Sequence, residues 1–101
     1  MNEHQRRLWQ RMMDMLDAYV GGLLDLKSLI NGLEAAFHAS EIRDCHLESQ
    51  FMRFWNRLDG EQDIAEALGV PVDDQAVRDC VHNLQHFLKE ALADQRGHWA
   101  S

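Results

Sequence analysis

Apolar residues return every three or four positions through most of this chain, the interval at which one side of an α-helix comes round. No segment alternates with the period of two that a half-buried strand requires. In the first segment Leu8, Met12, Met15 and Tyr19 form one stripe, with Leu16 beside it and Trp9, Met13 and Val20 widening the apolar face. Gly21-Gly22 supplies the backbone freedom at which that helix stops. Asp25 is placed to cap the next helix, because its carboxylate can accept the free N–H groups of a first turn. Leu26, Leu29, Ile30, Leu33 and Phe37 then fall within an arc of about 100°, and Gly32 costs this helix about 1 kcal/mol relative to alanine.

Ser40 is the candidate cap of a third helix, with Leu47, Phe51, Phe54 and Leu58 as its stripe and Trp55 on its flank. At Asp59-Gly60 the phase is lost, since Glu61 falls where an apolar residue is needed. The pattern therefore predicts a break in or after the third helix there, followed by a short helical turn carrying Ile64 and Leu68. Gly69 suits the left-handed position after a helix end, with Val70 folding back and Pro71 preventing continuation. Asp73 caps the last helix, whose stripe of Val77, Val81, Leu84, Leu88 and Leu92 has bundle-seam spacing. Residues 95–101 carry no periodicity and predict a loose tail.

Four amphipathic helices joined by short connections most economically form an all-α, antiparallel up-and-down four-helix bundle, in which consecutive helices are neighbours. A chain of 101 residues supports one core, here spanning roughly 5–94, and an apolar content of 46% is enough to fill it. The start of the sequence alternates apolar with charged residues rather than forming a signal-peptide run, and no stretch approaches a membrane span, so a cytoplasmic protein is expected. Cys45 and Cys80 have neither the number nor the spacing of a disulfide framework and are read as thiols.

Little in the sequence points to catalysis or a cofactor. His82 and His86 stand four apart, as two ligands of one metal would, but Asn83 occupies the place where the metalloprotease pattern needs glutamate, and both project away from the apolar stripe. They read as exposed histidines. Cys45-His46 and Cys80 are not brought together by any pattern. Arg6, Arg7 and Arg11 are the only basic cluster, on a helix that also carries Asp14 and Asp17, which is a solvated face rather than a nucleic-acid stripe.

The net charge of −7, from 17 acids and 10 bases, repels phosphate backbones and anionic lipid. Between Arg57 and Arg78 there is no Lys or Arg, while Asp59, Glu61, Asp63, Glu66, Asp73 and Asp74 all occur. Such a stretch is either a solvated loop and helix cap or a surface that steers a basic partner. A second candidate surface is the surplus apolar flank of Trp9, Met13 and Val20, which is core if buried and an anchor for a homodimer if exposed.

The run Tyr19-Val20-Gly21-Gly22-Leu23-Leu24-Asp25-Leu26, then Leu29-Ile30, Leu33-Glu34, Phe51, Phe54-Trp55 and Leu58-Asp59, resembles small acidic helical bacterial immunity proteins. These are encoded beside secreted polymorphic toxins, including contact-dependent inhibition and colicin-like systems, and the resemblance spans roughly residues 15–92. It implies a cytoplasmic, non-enzymatic protein that needs no cofactor and blocks one cognate toxin, often a nuclease with a basic active site. On that reading Trp55, Asp59, Glu61, Asp63, Glu66, Asp73 and Asp74 form the partner-binding surface. The alternative is a homodimeric helical adaptor or regulatory protein associating through Trp9, Met13 and Val20.

Overall fold

The structure, a computed structural model, describes residues 2–100, and of residues 94–100 the backbone only. It is all-helical among those residues: α1 (Glu3–Val20), α2 (Leu26–Ser40), α3 (Cys45–Leu68) and α4 (Asp74–Ala100). Contacts run α1 to α2, α2 to α3, α3 to α4 and α4 back to α1, with none across either diagonal among the described residues. That cyclic order, with short turns between neighbours, is the antiparallel up-and-down bundle the periodicity predicts.

Each helix begins where the chain offers an acceptor for its free amides. Asn2 and Gln5 form a reciprocal capping box on α1, with hydrogen bonds of 2.8 and 3.0 Å. The Asp25 carboxylate accepts from Ser28 N at 2.7 Å, and that of Asp73 from Ala76 N at 3.2 Å. The cap of α3 is not Ser40. That residue is buried in the last turn of α2, its Oγ donating to Phe37 O at 2.6 Å, and Asp44 caps α3 instead by accepting from His46 N and Leu47 N.

Two helix ends share one geometry. Leu23 N donates to Ala18 O and Gly22 N to Tyr19 O, just as Val70 N donates to Ala65 O and Gly69 N to Glu66 O. In each the glycine stands at positive φ, 80° for Gly22 and 65° for Gly69, a conformation that a side chain would strain. Gly21-Gly22 and Gly69-Val70-Pro71 thus end α1 and α3 as their sequences predict.

The buried face of α1 is centred on Trp9, Met12 and Leu16 rather than on the Leu8, Met12, Met15, Tyr19 stripe, whose other members are half-buried at its edge. Leu29, Leu33, Phe37, Phe51, Leu58, Val77, Val81, Leu84 and Leu88 complete the centre of the core. Phe37 and Phe51 stack with centroids 4.1 Å apart. Gly32 sits where α1 presses on α2: a Cβ there would lie 2.6 Å from Met15 Sδ, so the glycine permits the close approach.

The expected break at Asp59-Gly60 does not occur, and α3 passes through it unbroken. The buried line is Phe51, Leu58 and Ala65, each seven residues after the last, so the phase persists through a small residue that a search for large apolar side chains passes over. Ile64 and Leu68, which the sequence places on a short turn after the break, belong to the same unbroken helix and stand outside that line. The expected loose tail at 95–101 is also replaced by helix as far as Ala100, since good helix formers such as Ala93, Gln95 and Arg96 continue α4 without a proline to stop it. Ser101 lies outside the described residues. Among those described, no helix is long and apolar enough to cross a membrane.

Candidate functional site

An unbroken α3 sorts the acidic stretch into separate groups. Residues three or four apart on a helix share a side, so Trp55, Asp59, Asp63 and Glu66 form one line facing the α2 side. Trp55 is half-buried, its Nε1 donating to Ile30 O at 2.9 Å, and it bolts α3 to α2 at the lower end of that line. Partial burial, together with the carboxylates of Asp63 and of Glu34 from α2, pushes the Asp59 carboxyl above its ordinary range. At the upper end Lys27 Nζ comes within 3.7 Å of Glu66 Oε1, and Gln62 donates to the same oxygen at 2.9 Å.

The remaining three acids lie elsewhere. Glu61 points round the helix toward α4, close enough to Cys80 to act on its thiol, and shares its line with Ile64 and Leu68. Asp73 is committed to capping α4. Asp74 pairs with Arg78 Nε at 2.9 Å and, after burial itself, helps to push the Tyr19 phenol up across the α1–α4 interface. The structure therefore joins four of the seven expected partner-binding residues and separates the rest.

The second candidate surface is taken apart. Trp9 is 0% exposed, its ring tilted against Phe37 and Phe87 at 6.3 and 6.2 Å, so it is a core residue and no anchor for a dimer. Its indole N–H has no hydrogen-bond partner among the described residues, in contrast to that of Trp55. Met13 is half-buried against the core and, with Arg6, Lys89 and Leu92, lines a shallow groove of about 450 Å³ between α1 and α4. Val20 is exposed in the last turn of α1, two turns away.

Burial pushes the Cys80 thiol up, with Arg57 opposing, and the thiol donates weakly to Phe54 O at 3.5 Å. A nucleophile needs the opposite shift. Cys45 is exposed at the start of α3, far along the chain from Cys80, and both are free. His82 and His86 are exposed, as their wheel positions predict, and His86 lies 3.0 Å from Glu90. No cluster of three or more His, Cys, Asp or Glu side chains suited to a metal occurs among the described residues.

Sequence reasoning missed one feature, the placement of exposed aliphatic side chains. Val20, Leu23, Ile64, Leu68 and Val70 are 65, 86, 57, 68 and 49% exposed, and they are all the large apolar residues so exposed among those described. All five belong to the α1–α2 and α3–α4 turns or the helix ends leading into them, which antiparallel packing puts at the same end of the bundle. A cleft of about 520 Å³ between the end of α1 and the start of α4 opens beside them, lined by Tyr19, Val20, Leu24, Asp74, Arg78 and His82 among others. The signal in the sequence is Leu23, an aliphatic residue placed directly after the glycine pair that ends a helix.

These features define an all-helical bundle with an acidic exterior and an apolar end. No family model matches the chain, and neither a curated protein nor a solved structure matches it.

Proposed function

We propose that this chain is an immunity protein that binds a cognate basic bacterial toxin and neutralises it by occluding its basic site. The observation that supports this reading most is the line Asp59, Asp63 and Glu66, which the unbroken α3 keeps in register beside Glu34 of α2. Burial is the main cause of the raised Asp59 pKa, and the neighbouring carboxylates of Asp63 and Glu34 add to it by crowding. A cationic partner relieves it, which gives the surface a preference for basic proteins and a salt-dependent encounter rate. The resemblance of residues 15–92 to immunity proteins and the net charge of −7 agree with this reading. The carboxylates then stand in for the phosphates of a nuclease substrate.

The test uses the toxin that this reading expects to be encoded beside this reading frame. Expressed alone it arrests growth, and co-expression of this chain restores growth. Reversing Asp59, Asp63 and Glu66 together to lysine weakens the complex by about tenfold or more and flattens its salt dependence. Unchanged affinity would show that the site lies elsewhere.

A further inference from the structure

The end of the bundle formed by the α1–α2 and α3–α4 turns carries an arrangement that the folding of the chain does not require. Leu23 follows a glycine-terminated helix, and Ile64 and Leu68 stand four apart on α3, one turn above the other. Leaving such side chains in water forgoes the stabilisation that burying them would give. Among the described residues, the opposite end of the molecule differs. There Ile42, in the α2–α3 turn, is packed against the core.

Carboxylates border this apolar end on both sides. Asp25, Asp63, Glu66, Asp73 and Asp74 all lie in or next to the two turns, and all are exposed. The cations there, Lys27 and Arg78, are each engaged by one of these acids, Glu66 and Asp74. The two turns are also held in shape, because each glycine-ended helix closes its last carbonyls with backbone amides, and the α1–α4 cleft opens alongside. An apolar centre inside a polar rim is the usual anatomy of a protein interface, and here the rim is net negative, with five carboxylates against Lys27 and Arg78.

We infer that this end is a docking surface for a basic protein, one that presents aliphatic or aromatic side chains flanked by Lys or Arg. The inference rests on the reading above for the charge of the partner, and adds where the apolar part of the contact lies. Charge complementarity selects this occupant. A second copy of the chain would bring two acidic rims together, and an anionic membrane surface would be repelled by the same carboxylates.

The test probes the surface with a fluorescent amphipathic peptide of Leu and Lys, and with its counterpart in which every Lys is Glu. The Lys peptide binds, the Glu peptide does not, and Leu23→Ser with Leu68→Ser weakens Lys-peptide binding about tenfold while the unfolding midpoint is kept. Retained binding in that double variant, equal binding of the two peptides, or no binding of the Lys peptide overturns the inference. So does sedimentation that finds a dimer which the double variant dissolves, since the occupant would then be a second copy. The two proposals fail separately. If charge reversal on α3 weakens the toxin complex but the double variant leaves peptide binding intact, the docking surface is wrong and the immunity reading stands. If the toxin is never bound, that reading falls whatever the peptide does.

Discussion

Leu84 and Leu88 on α4 and Ile64 and Leu68 on α3 are both pairs of aliphatic residues four apart, on helices of similar length, yet the first pair is fully buried and the second largely exposed. Register explains the difference. Leu84 and Leu88 lie in the middle of α4, where α1 and α3 flank it on both sides. The contacts of Phe54 with Cys80 and Phe87 set α3 against α4 so that α4 begins before α3 has ended. The last turn of α3 therefore runs on past its neighbour, with Leu68 at its tip. Apolar spacing establishes that a helix has a greasy side, whereas the lengths of its neighbours decide how much of that side is covered.

The largest expected effects fall on the covered side. Leu88→Ala should cost about 2–5 kcal/mol and Phe51→Ala about 3–5 kcal/mol, read from urea unfolding, because each empties space in a closed core. Leu68→Ala should change stability by less than about 0.5 kcal/mol in the same measurement. A loss at Leu68 as large as that at Leu88 would erase the distinction between the two regions.

The two helical glycines divide along similar lines. At Gly60 an added Cβ meets nothing within 4 Å, so Gly60→Ala should stabilise by about 0.5–1 kcal/mol through helix propensity alone. At Gly32 the Cβ meets Met15 Sδ at 2.6 Å, near the end of a flexible, half-buried side chain that must swing aside, so the propensity gain should be largely offset and Gly32→Ala should stay within about 0.5 kcal/mol of the parent. A double-mutant cycle with Met15→Ala should show coupling between the two sites. Destabilisation by Gly60→Ala would restore the break that the sequence pattern predicts at Asp59-Gly60.

The smallest effects are in pH dependence, and two aspartates have opposite signs. Hydrogen bonding from Ser28 holds Asp25 below its ordinary value of 3.8, so its contribution is present above that value and fades as pH falls through the lower folded pKa. Asp59 is shifted upward from the same 3.8 by burial, Asp63 and Glu34. Its contribution is present below that value and is lost as pH rises through the higher folded pKa. Asp59→Asn should therefore be slightly more stable than the parent at neutral pH, an advantage that disappears below about pH 3.8. Paired thermal melts across that range check both.

Much of this fold is legible in the sequence because its helices begin and end on local chemistry. Asp25 and Asp73 cap, Gly22 and Gly69 terminate, and the α2 stripe and all of the α4 stripe except half-buried Leu92 are buried as their spacing implies. The errors arise where a non-local fact decides. Ala65 is buried although its side chain is too small to stand out in an apolar pattern, and Trp9 rather than Leu8 becomes the centre of α1 only because Phe37 and Phe87 meet it there. The candidate surface divides in the same way. The acids are visible in the sequence, but their separation into one line on α3 and a rim at the bundle end depends on the helix being unbroken, and the apolar end depends on register.

Hydrogen exchange of this chain, free and bound to the basic toxin proposed as its partner, tests the proposed surface most directly. Added protection should concentrate in residues 59–70 and in the α1–α2 turn around residues 20–25, with residues 45–52 at the other end of α3 unchanged. Protection confined to the α1–α4 groove around Met13 and Leu92, or spread evenly over the bundle, would contradict it.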